Sequence, residues 1–440
     1  MKKLLLFTAL TAAMSVSAAT VTDVTAKQRW PWNNLVDVDF TVSAPAGETY
    51  MVVLDASCDG GAKKFSAVTF LSEPTAKMGA NHVTWDFGAD YPNVRADDMQ
   101  VKVSLAPYSE ATSPIWLKID LSGGPTATKY PVTYSFTGPA HVMGAVDEPC
   151  QTTELWLRRI RHYEGVMVFH NWRYDDSKEY NFYGELTKDY YMGVFELTQR
   201  QYELVMGSNP SFFSNRTCYA SRPVERINGP LLYGGNYNIQ RNPQSIKASS
   251  FFGKLRAKTG LPLVVPSSMQ FEWATRGGYY TGEYYRYKIR DASGKLYTPT
   301  YNEIGRWSSN VETTSPTGDS DTASGTAAVG SYLPNMFGLY DTMGNVWEVT
   351  CEYVKNYANR DISVDLEILR EAAGDDTLGK SADNPVVDYI GQNKEGNCWR
   401  IMSGSYTKSN LSLWNEFWYM DQLLDAGSSG CGVRVSMNME

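Results

Sequence analysis

The chain has 440 residues, a formal net charge of -8, and an apolar fraction of 42%. At roughly 100–200 residues per domain, this length predicts two or three domains. The acidic charge balance argues against nucleic acid or anionic lipid as a partner, and it is compatible with divalent cations.

The first residues have the layout of a cleaved secretory signal. Lys2 and Lys3 precede an apolar run over 4–13, and small residues follow it. This order predicts a signal peptide over 1–19, cut after Ala18 or Ala19. A membrane anchor is the alternative, but the run is shorter than the ~20 apolar residues that cross a bilayer. We therefore expect an exported protein, periplasmic or extracellular, without a membrane span.

Residues 20–125 predict a small antiparallel β-sandwich. Apolar and polar side chains alternate over 36–41, 101–105 and 115–122. Short strands at this spacing are typical of a sandwich. Residues 126–154 are of mixed polarity and predict a linker.

From about residue 150 the chain becomes rich in Tyr, Trp, Gly and Asn. Capping boxes at Thr198 and Ser267 predict helices that begin at the next residue. A third helix over 250–259 is expected to end at Gly260. Long loops separate these helices, so the pattern indicates a mixed α+β, loop-rich domain. Disulfides or metal ions usually fix such loops. The chain has six cysteines, which permit up to three disulfides in an oxidising compartment and leave the pairing open.

The stretch "GLYDTMGNVWEVTCEY" over 338–353 concentrates oxygen ligands. Asp341, the carbonyls of Gly344 and Val346, and Glu348 lie within eight residues. Calcium takes six to eight oxygens from carboxylates and carbonyls. On spacing alone, an ordinary turn with a solvated Asp and Glu is the better interpretation.

Four sequence blocks change that interpretation. They are "YYMGVFELTQRQYELVMGSNPS" (190–211), "VVPSSMQFEWATRGG" (264–278), "LPNMFGLYDTMGNVWEV" (333–349) and "GVRV" (432–435). In this order they resemble the sulfatase-modifying-factor domain, the fold of the formylglycine-generating enzyme. The resemblance covers about 155–438 and implies a variant of the C-type lectin-like fold.

The resemblance implies two structural calcium ions in this domain. The first would be held by Asp341, Gly344, Val346 and Glu348. The second would be held by Asn310, the carbonyl of Val311, Asp321 and the carbonyl of Ala323, on a weaker match.

The same resemblance implies a copper ion bound by two cysteines. This chain has no cysteine at either of the two matching positions. Lys408 and Leu413 stand at the matching positions, within "SGSYTKSNLSL" over 403–413. Soft thiolates hold Cu(I), and neither an ammonium nor an isobutyl group replaces them. The four histidines all precede Met192 and form no iron-binding motif. We therefore expect no catalytic residues, no copper and no iron.

Two functions follow from these observations. The first is a non-catalytic accessory module, a pseudoenzyme that binds a peptide, a protein or a glycan. Its groove would include Ser405, Tyr406, Trp414, Trp418 and Arg434, although core packing is the alternative for each aromatic residue singly. The second is a divergent formylglycine-type oxidase that acts on protein cysteine.

Overall fold

The structure is a computed structural model. It describes residues 19–29, 35–67, 69–71, 73–91, 96, 98–108, 115–163, 165–172, 179–234, 246–278, 289–290, 296–310, 325–354, 370, 373–388, 398–406 and 429–439. Most of the predicted signal peptide lies outside these residues. Within them, no helix is long and apolar enough to cross a membrane.

The chain divides into two compact units, Met1–Pro114 and Ile115–Glu440. This division differs from the sequence prediction, which placed 115–125 with the first domain and a linker over 126–154. Residues 116–120 form a strand that pairs with two strands of the second unit. The predicted linker is also folded, since Tyr130 and Gln151 within it are fully buried.

Among its described residues, the first unit contains eight strands and one short α-helix. These are β1 (Thr20–Gln28), β2 (Leu35–Ser43), β3 (Thr49–Cys58), β4 (Lys63–Ser66), β5 (Thr69–Phe70), β6 (Thr75–Lys77), β7 (Gly79–Asp86), α1 (Phe87–Asp90) and β8 (Gln100–Pro107). In one antiparallel sheet the order is β1-β2-β7-β5. In the other, β3 pairs with β4, β6 and β8.

Alternation along β2 explains why this unit has a core. Val36, Val38, Phe40 and Val42 are buried, and the residues between them are not. Successive side chains of a strand point to opposite faces, so this pattern buries one face of the sheet. The ring of Phe65 on β4 packs edge-on against Phe87, with ring centroids 5.3 Å apart.

The second unit contains fourteen described strands and six described helices. Its strands are β9 (Trp116–Asp120), β10 (Val132–Ser135), β11 (Glu154–Ile160), β12 (Met167–Trp172), β13 (Glu179–Glu185), β14 (Tyr190–Gly193), β15 (Leu263–Val264), β16 (Ile289–Arg290), β17 (Leu296–Tyr297), β18 (Trp347–Val354), β19 (Val386–Val387), β20 (Cys398–Met402), β21 (Cys431–Gly432) and β22 (Ser436–Asn438). Its helices are α2 (Pro149–Thr152), α3 (Gln199–Met206), α4 (Gly229–Tyr233), α5 (Phe251–Thr259), α6 (Ser268–Thr275) and α7 (Tyr301–Ile304).

An antiparallel run of strands in the order β10-β9-β11-β14-β22-β15 forms the main sheet of this unit. Smaller sheets have the orders β12-β13-β19, β20-β18-β21 and β16-β17. Few helices and many irregular connections accompany them, which confirms the loop-rich mixed architecture expected from the sequence.

The helix signals of the sequence are confirmed. The side chains of Thr198 and Ser267 each accept a hydrogen bond from the N–H three residues on, and α3 and α6 begin just after them. Helix α5 ends at Gly260, whose φ of 75° lies in the left-handed region that favours glycine. Local hydrogen-bonding chemistry therefore fixes these three helix boundaries.

Candidate functional site

The segment that the sequence singled out is a buried turn that leads into β18. Every residue from 341 to 350 is buried. Asp341 and Asn345 adopt left-handed backbone conformations, with φ of 52° and 59°. Asp and Asn tolerate this region better than most residues because their short side chains form local hydrogen bonds. The turn thus carries polar groups into the interior, where each needs a partner.

Arg434 is the principal cation of this interior. Its side chain is fully buried, and its Nε and Nη2 donate to the two carboxylate oxygens of Glu348 at 2.9 and 2.8 Å. Nη1 donates to the carbonyls of Gly193 and Val194, and Nη2 donates to that of Tyr340. Burial disfavours the charged guanidinium, but the adjacent carboxylates outweigh burial and raise the pKa of Arg434.

Glu196 is a second buried carboxylate beside the turn. It accepts hydrogen bonds from Asn345 Nδ2 at 2.7 Å and from the Val346 N–H at 3.1 Å. Burial, followed by the charges of Asp341 and Glu348, raises the pKa of Glu196 well above its usual range. Glu196 is not among the site residues predicted from the sequence, although it lies within the first block of the family resemblance.

Asp341 is the third buried carboxylate. Its Oδ2 accepts a hydrogen bond from the Gly330 N–H at 2.7 Å. Its Oδ1 is buried and has no hydrogen-bond partner among the described residues. Burial raises the pKa of Asp341 to about 6, against the lowering effects of the Gly330 N–H and Arg434.

This group brings three carboxyl groups to one guanidinium. Glu196, Asp341 and Glu348 are all fully buried, and each interacts electrostatically with Arg434. If all three were ionised, Arg434 would balance only one of the negative charges, so protons or a bound cation must neutralise the rest. Buried charges are normally paired or bound to a metal ion. We call Glu196, Asp341, Glu348 and Arg434 the acidic cluster.

The predicted first calcium ligands fit a cation in part. The Oδ1 atom of Asp341 is an orphaned buried acceptor, as a metal ligand is expected to be before an ion binds. The carbonyl of Gly344 accepts a bond from Ser403 Oγ at 3.3 Å. Glu348 already uses both oxygens on Arg434, although each carboxylate oxygen has a further lone pair.

The second predicted calcium site falls mostly outside the described residues. These exclude Val311, Asp321 and Ala323. Asn310 is described and buried, and its side-chain amide forms hydrogen bonds within its own loop. Its Oδ1 accepts from the Trp307 N–H at 2.8 Å, and its Nδ2 donates to the Gly305 carbonyl at 2.9 Å.

The predicted groove is only partly described. Trp414 and Trp418 lie outside the described residues, as do Lys408 and Leu413. Arg434 and Ser405 have no exposed surface. The expectation that Arg434 lies near an open groove needs correction, because its donors are all used within the core. Tyr406 is half-buried, and its hydroxyl lies 3.2 Å from Ser429 Oγ.

No disulfide is present among the cysteines whose side chains are described, although the sequence permits up to three. Cys58, Cys150 and Cys431 are buried thiols. The side chain of Cys398 lies outside the described residues. Burial and the charge of Glu348 raise the pKa of Cys431 well above its usual range, so this thiol stays protonated.

Comparison with known proteins identifies the family. A family model, the sulfatase-modifying factor enzyme 1-like domain, matches residues 184–439, more than half of the chain. The chain belongs to this family. The sequence resemblance is thereby confirmed, and the acidic cluster lies within the matched sulfatase-modifying-factor domain.

Two solved structures are similar to the chain at low identity. Treponema denticola variable protein 1 is 18% identical, with a TM-score of 0.42, and the match covers 68% of this chain and 100% of that one. CarF is 15% identical, with a TM-score of 0.33, and the match covers 64% of this chain and 98% of that one. No curated protein matches the chain.

Proposed function

We propose that this chain is a non-catalytic binding protein of the sulfatase-modifying-factor family. The observation that carries the proposal is the pair Lys408 and Leu413 at the positions of the family's copper ligands. A primary ammonium is a hard cation, and an isobutyl group has no donor atom. Neither fits copper, which needs soft thiolate ligands in this chemistry.

Export and calcium belong to the same proposal. The signal-like residues 1–19 support export to the periplasm or the extracellular space. The excess of carboxyl groups over guanidinium groups in the acidic cluster and the orphaned Oδ1 of Asp341 support a bound cation there. Asp341 and Glu348 would supply carboxylate oxygens, and Gly344 and Val346 would supply carbonyls. Calcium would neutralise the buried charge and so stabilise the turn.

The finer architecture is also proposed. We place the first unit among small β-sandwiches, because it has two antiparallel sheets and Phe65 of one packs against Phe87 of helix α1, which directly follows β7 of the other. We place the second unit among C-type lectin-like folds, on the strength of its family membership. Binding, rather than catalysis, is a common use of a rigid scaffold that carries long loops.

An aromatic patch on the second unit supports a binding role. Phe212 is 53% exposed, although a large apolar side chain usually avoids water. Its ring packs edge-on against Phe213, which in turn packs edge-on against Tyr406. The guanidinium of exposed Arg226 lies 4.8 Å from the Phe212 ring centroid. We call Phe212, Phe213, Arg226 and Tyr406 the aromatic patch.

The patch is rigidly held from beneath. The carboxylate of Glu225 is fully buried and accepts hydrogen bonds from the backbone N–H groups of Phe212 and Phe213, at 2.9 and 3.0 Å. A fixed aromatic surface with an adjacent guanidinium suits a peptide or a sugar, since both offer an apolar face and hydrogen-bonding groups. The patch therefore supplies the described part of the proposed binding surface.

Binding and catalysis can be tested on one preparation. The mature protein is first screened on peptide and glycan arrays, and hits are measured by calorimetry. We expect Phe212→Ala to weaken binding at least tenfold. Val387→Ala is the matched control, because Val387 is also 53% exposed in the same unit. Equal affinity of Phe212→Ala and the unmodified protein would reject the patch.

The enzyme alternative needs a separate assay. The same protein is incubated with Cu(I), oxygen and a cysteine-containing sulfatase peptide, and the peptide mass is followed. An unchanged mass is the expected result. Conversion of cysteine to formylglycine would overturn the non-catalytic proposal, whatever the arrays show.

A further inference from the structure

Three potential metal ligands lie close together in a short segment, and none of them belongs to the acidic cluster. His141, Glu148 and Cys150 each offer one ligand atom, and these atoms all lie within 4.8 Å of one another. His141 Nδ1 is 2.5 Å from Glu148 Oε2, and Cys150 Sγ is 3.8 Å from the same oxygen. The His141 and Cys150 side chains are 2% exposed, and that of Glu148 is 19% exposed.

The surrounding contacts fix all three side chains. Glu148 caps helix α2, and Cys150 lies in its first turn. Gln151 anchors this helix by donating to the carbonyl of Val329 at 2.7 Å. The imidazole of His141 packs edge-on against Phe195 and Tyr340, with ring centroids 5.1 and 5.0 Å apart. A site built this way loses little conformational entropy when it binds an ion.

The hydrogen bonding of His141 orients its Nδ1 toward the other two proposed ligands. Its Nε2 lies 3.0 Å from the Gly330 carbonyl, which only accepts hydrogen bonds, so Nε2 carries a proton. Nδ1 faces the Glu148 carboxylate at 2.5 Å, a distance at which the two atoms share a proton in a short hydrogen bond. A metal ion bound to both atoms would replace this proton. Metal-binding histidines are oriented in this manner, with the other ring nitrogen donating to a backbone carbonyl.

We propose that His141 Nδ1, Glu148 Oε2 and Cys150 Sγ bind a divalent transition metal of the zinc class. Imidazole nitrogen, carboxylate oxygen and thiolate sulfur are the ligand types that zinc takes in proteins. The sulfur ligand gives this site a different metal preference from the acidic cluster, because calcium and magnesium prefer oxygen ligands. The partly exposed Glu148 gives the ion a path from solvent and leaves a fourth position for water.

The thiol must lose its proton when the metal binds. Burial and the carboxylates of Glu148 and Glu154 raise the pKa of Cys150 to about 12. The bound cation reverses the sign of the local charge, so the Sγ–H bond breaks and a sulfur–metal bond forms. The thiol proton and the proton shared by His141 Nδ1 and Glu148 Oε2 both go to solvent. No oxidant or reductant takes part in this exchange. The bound ion would tie the 141–150 segment to Gly330 through the ring of His141.

Cobalt(II) spectroscopy tests the site on the mature full-length chain. The protein is kept reduced, stripped with a chelator, and titrated with Co(II) and then with Zn(II). We expect one equivalent of cobalt to give a thiolate-to-cobalt absorption band, which zinc then removes. Cys150→Ser should lose the band, and Glu148→Gln should weaken binding at least tenfold. Cys351→Ser, a half-buried thiol at a separate cavity, should keep it.

A folded unmodified protein without the band would overturn the proposal, as would a band that survives in Cys150→Ser. Alkylation provides a second measurement if that variant does not fold. At a denaturant concentration that transiently opens the buried site, zinc should slow the reaction of Cys150 in the unmodified chain with iodoacetamide, as mapped by mass spectrometry, and calcium should not. Equal rates with and without zinc would refute the site. Because calcium forms no thiolate band, failure here is distinguishable from failure of the proposed calcium site.

Discussion

Replacement of Arg434 by Met tests whether the acidic cluster holds the larger unit together. Methionine has a similar length and fills the same space, so the variant removes charge and donors with little change in volume. It leaves the fully buried carboxylate of Glu348 without the guanidinium that binds both of its oxygens. It also removes the donors to the carbonyls of Gly193, Val194 and Tyr340.

The expected loss is large because the remaining charge stays buried. Removal of one partner of a buried ion pair costs about 3–5 kcal/mol. At about 2 °C of Tm for each kcal/mol in a large domain, a loss of about 4 kcal/mol lowers Tm by about 8 °C. Arg200→Met is the control, since Arg200 and Glu203 form an ion pair with side chains 40% and 31% exposed. That pair should contribute less than about 1 kcal/mol.

Calorimetry of the two variants and of the Arg434→Met/Glu348→Gln double variant checks the reasoning. The double variant removes the uncompensated charge, so it should be less destabilised than the sum of the single variants. Burial already raises the pKa of Glu348, and loss of Arg434 raises it further. A carboxyl group whose pKa is higher in the folded state than in the unfolded state lowers the stability of the fold when it is ionised. Protonation at lower pH removes this destabilisation. The deficit of Arg434→Met should therefore shrink from pH 8 to pH 5. A Tm within 2 °C of the unmodified protein would refute a structural role for the pair.

Three further predictions concern the calcium ion, copper binding and the N-terminus. Chelation of the calcium-loaded protein should lower its Tm by several degrees, because an ion at 100 times its Kd stabilises by about 2.7 kcal/mol. Asp341→Asn should abolish most of this response, and Asp376→Asn, at an exposed position, should leave it intact. Since the pKa of ion-free Asp341 is about 6, protons compete with calcium below that pH. The calcium affinity should therefore fall about tenfold between pH 7 and pH 5, and a pH-independent affinity would contradict this role. Cysteines placed together at 408 and 413 should increase Cu(I) binding over the unmodified chain, as measured by competition with a chromophoric chelator, and an unchanged affinity would argue against the alignment. Mass spectrometry of the exported protein should give a mature N-terminus at Ala19 or Thr20, and an intact Met1 would contradict cleavage.

Local signals in the sequence predicted local structure well. A hydroxyl at Thr198 or Ser267 and a glutamine three residues later were sufficient to place the starts of α3 and α6. These contacts span three residues, so all the information lies in one short window. The same reasoning placed the end of α5 at Gly260.

Long-range contacts were the part that the sequence did not predict. Glu196 reads as a single acidic residue among apolar neighbours, and its partner Asn345 lies 149 residues away. Arg434 was predicted to lie at a groove, yet it is one of four arginines among the largest fully buried side chains described, whereas arginine is usually exposed. The prediction of a linker over 126–154 differs from the structure for a related reason. Strand β10 has four residues, too few for a clear alternating pattern, and it is held by its neighbour β9.

The residues that fix the larger unit are distinct from those that the family uses to hold copper. Arg434 joins Glu348 on β18 to the carbonyls of Gly193 and Val194 at the end of β14. The contacts of Arg434 do not include positions 408 and 413, which lie outside the described residues. These contacts therefore require no copper ligand at either position. Because a fold does not fix a reaction, membership in the sulfatase-modifying-factor family alone assigns no reaction to this protein.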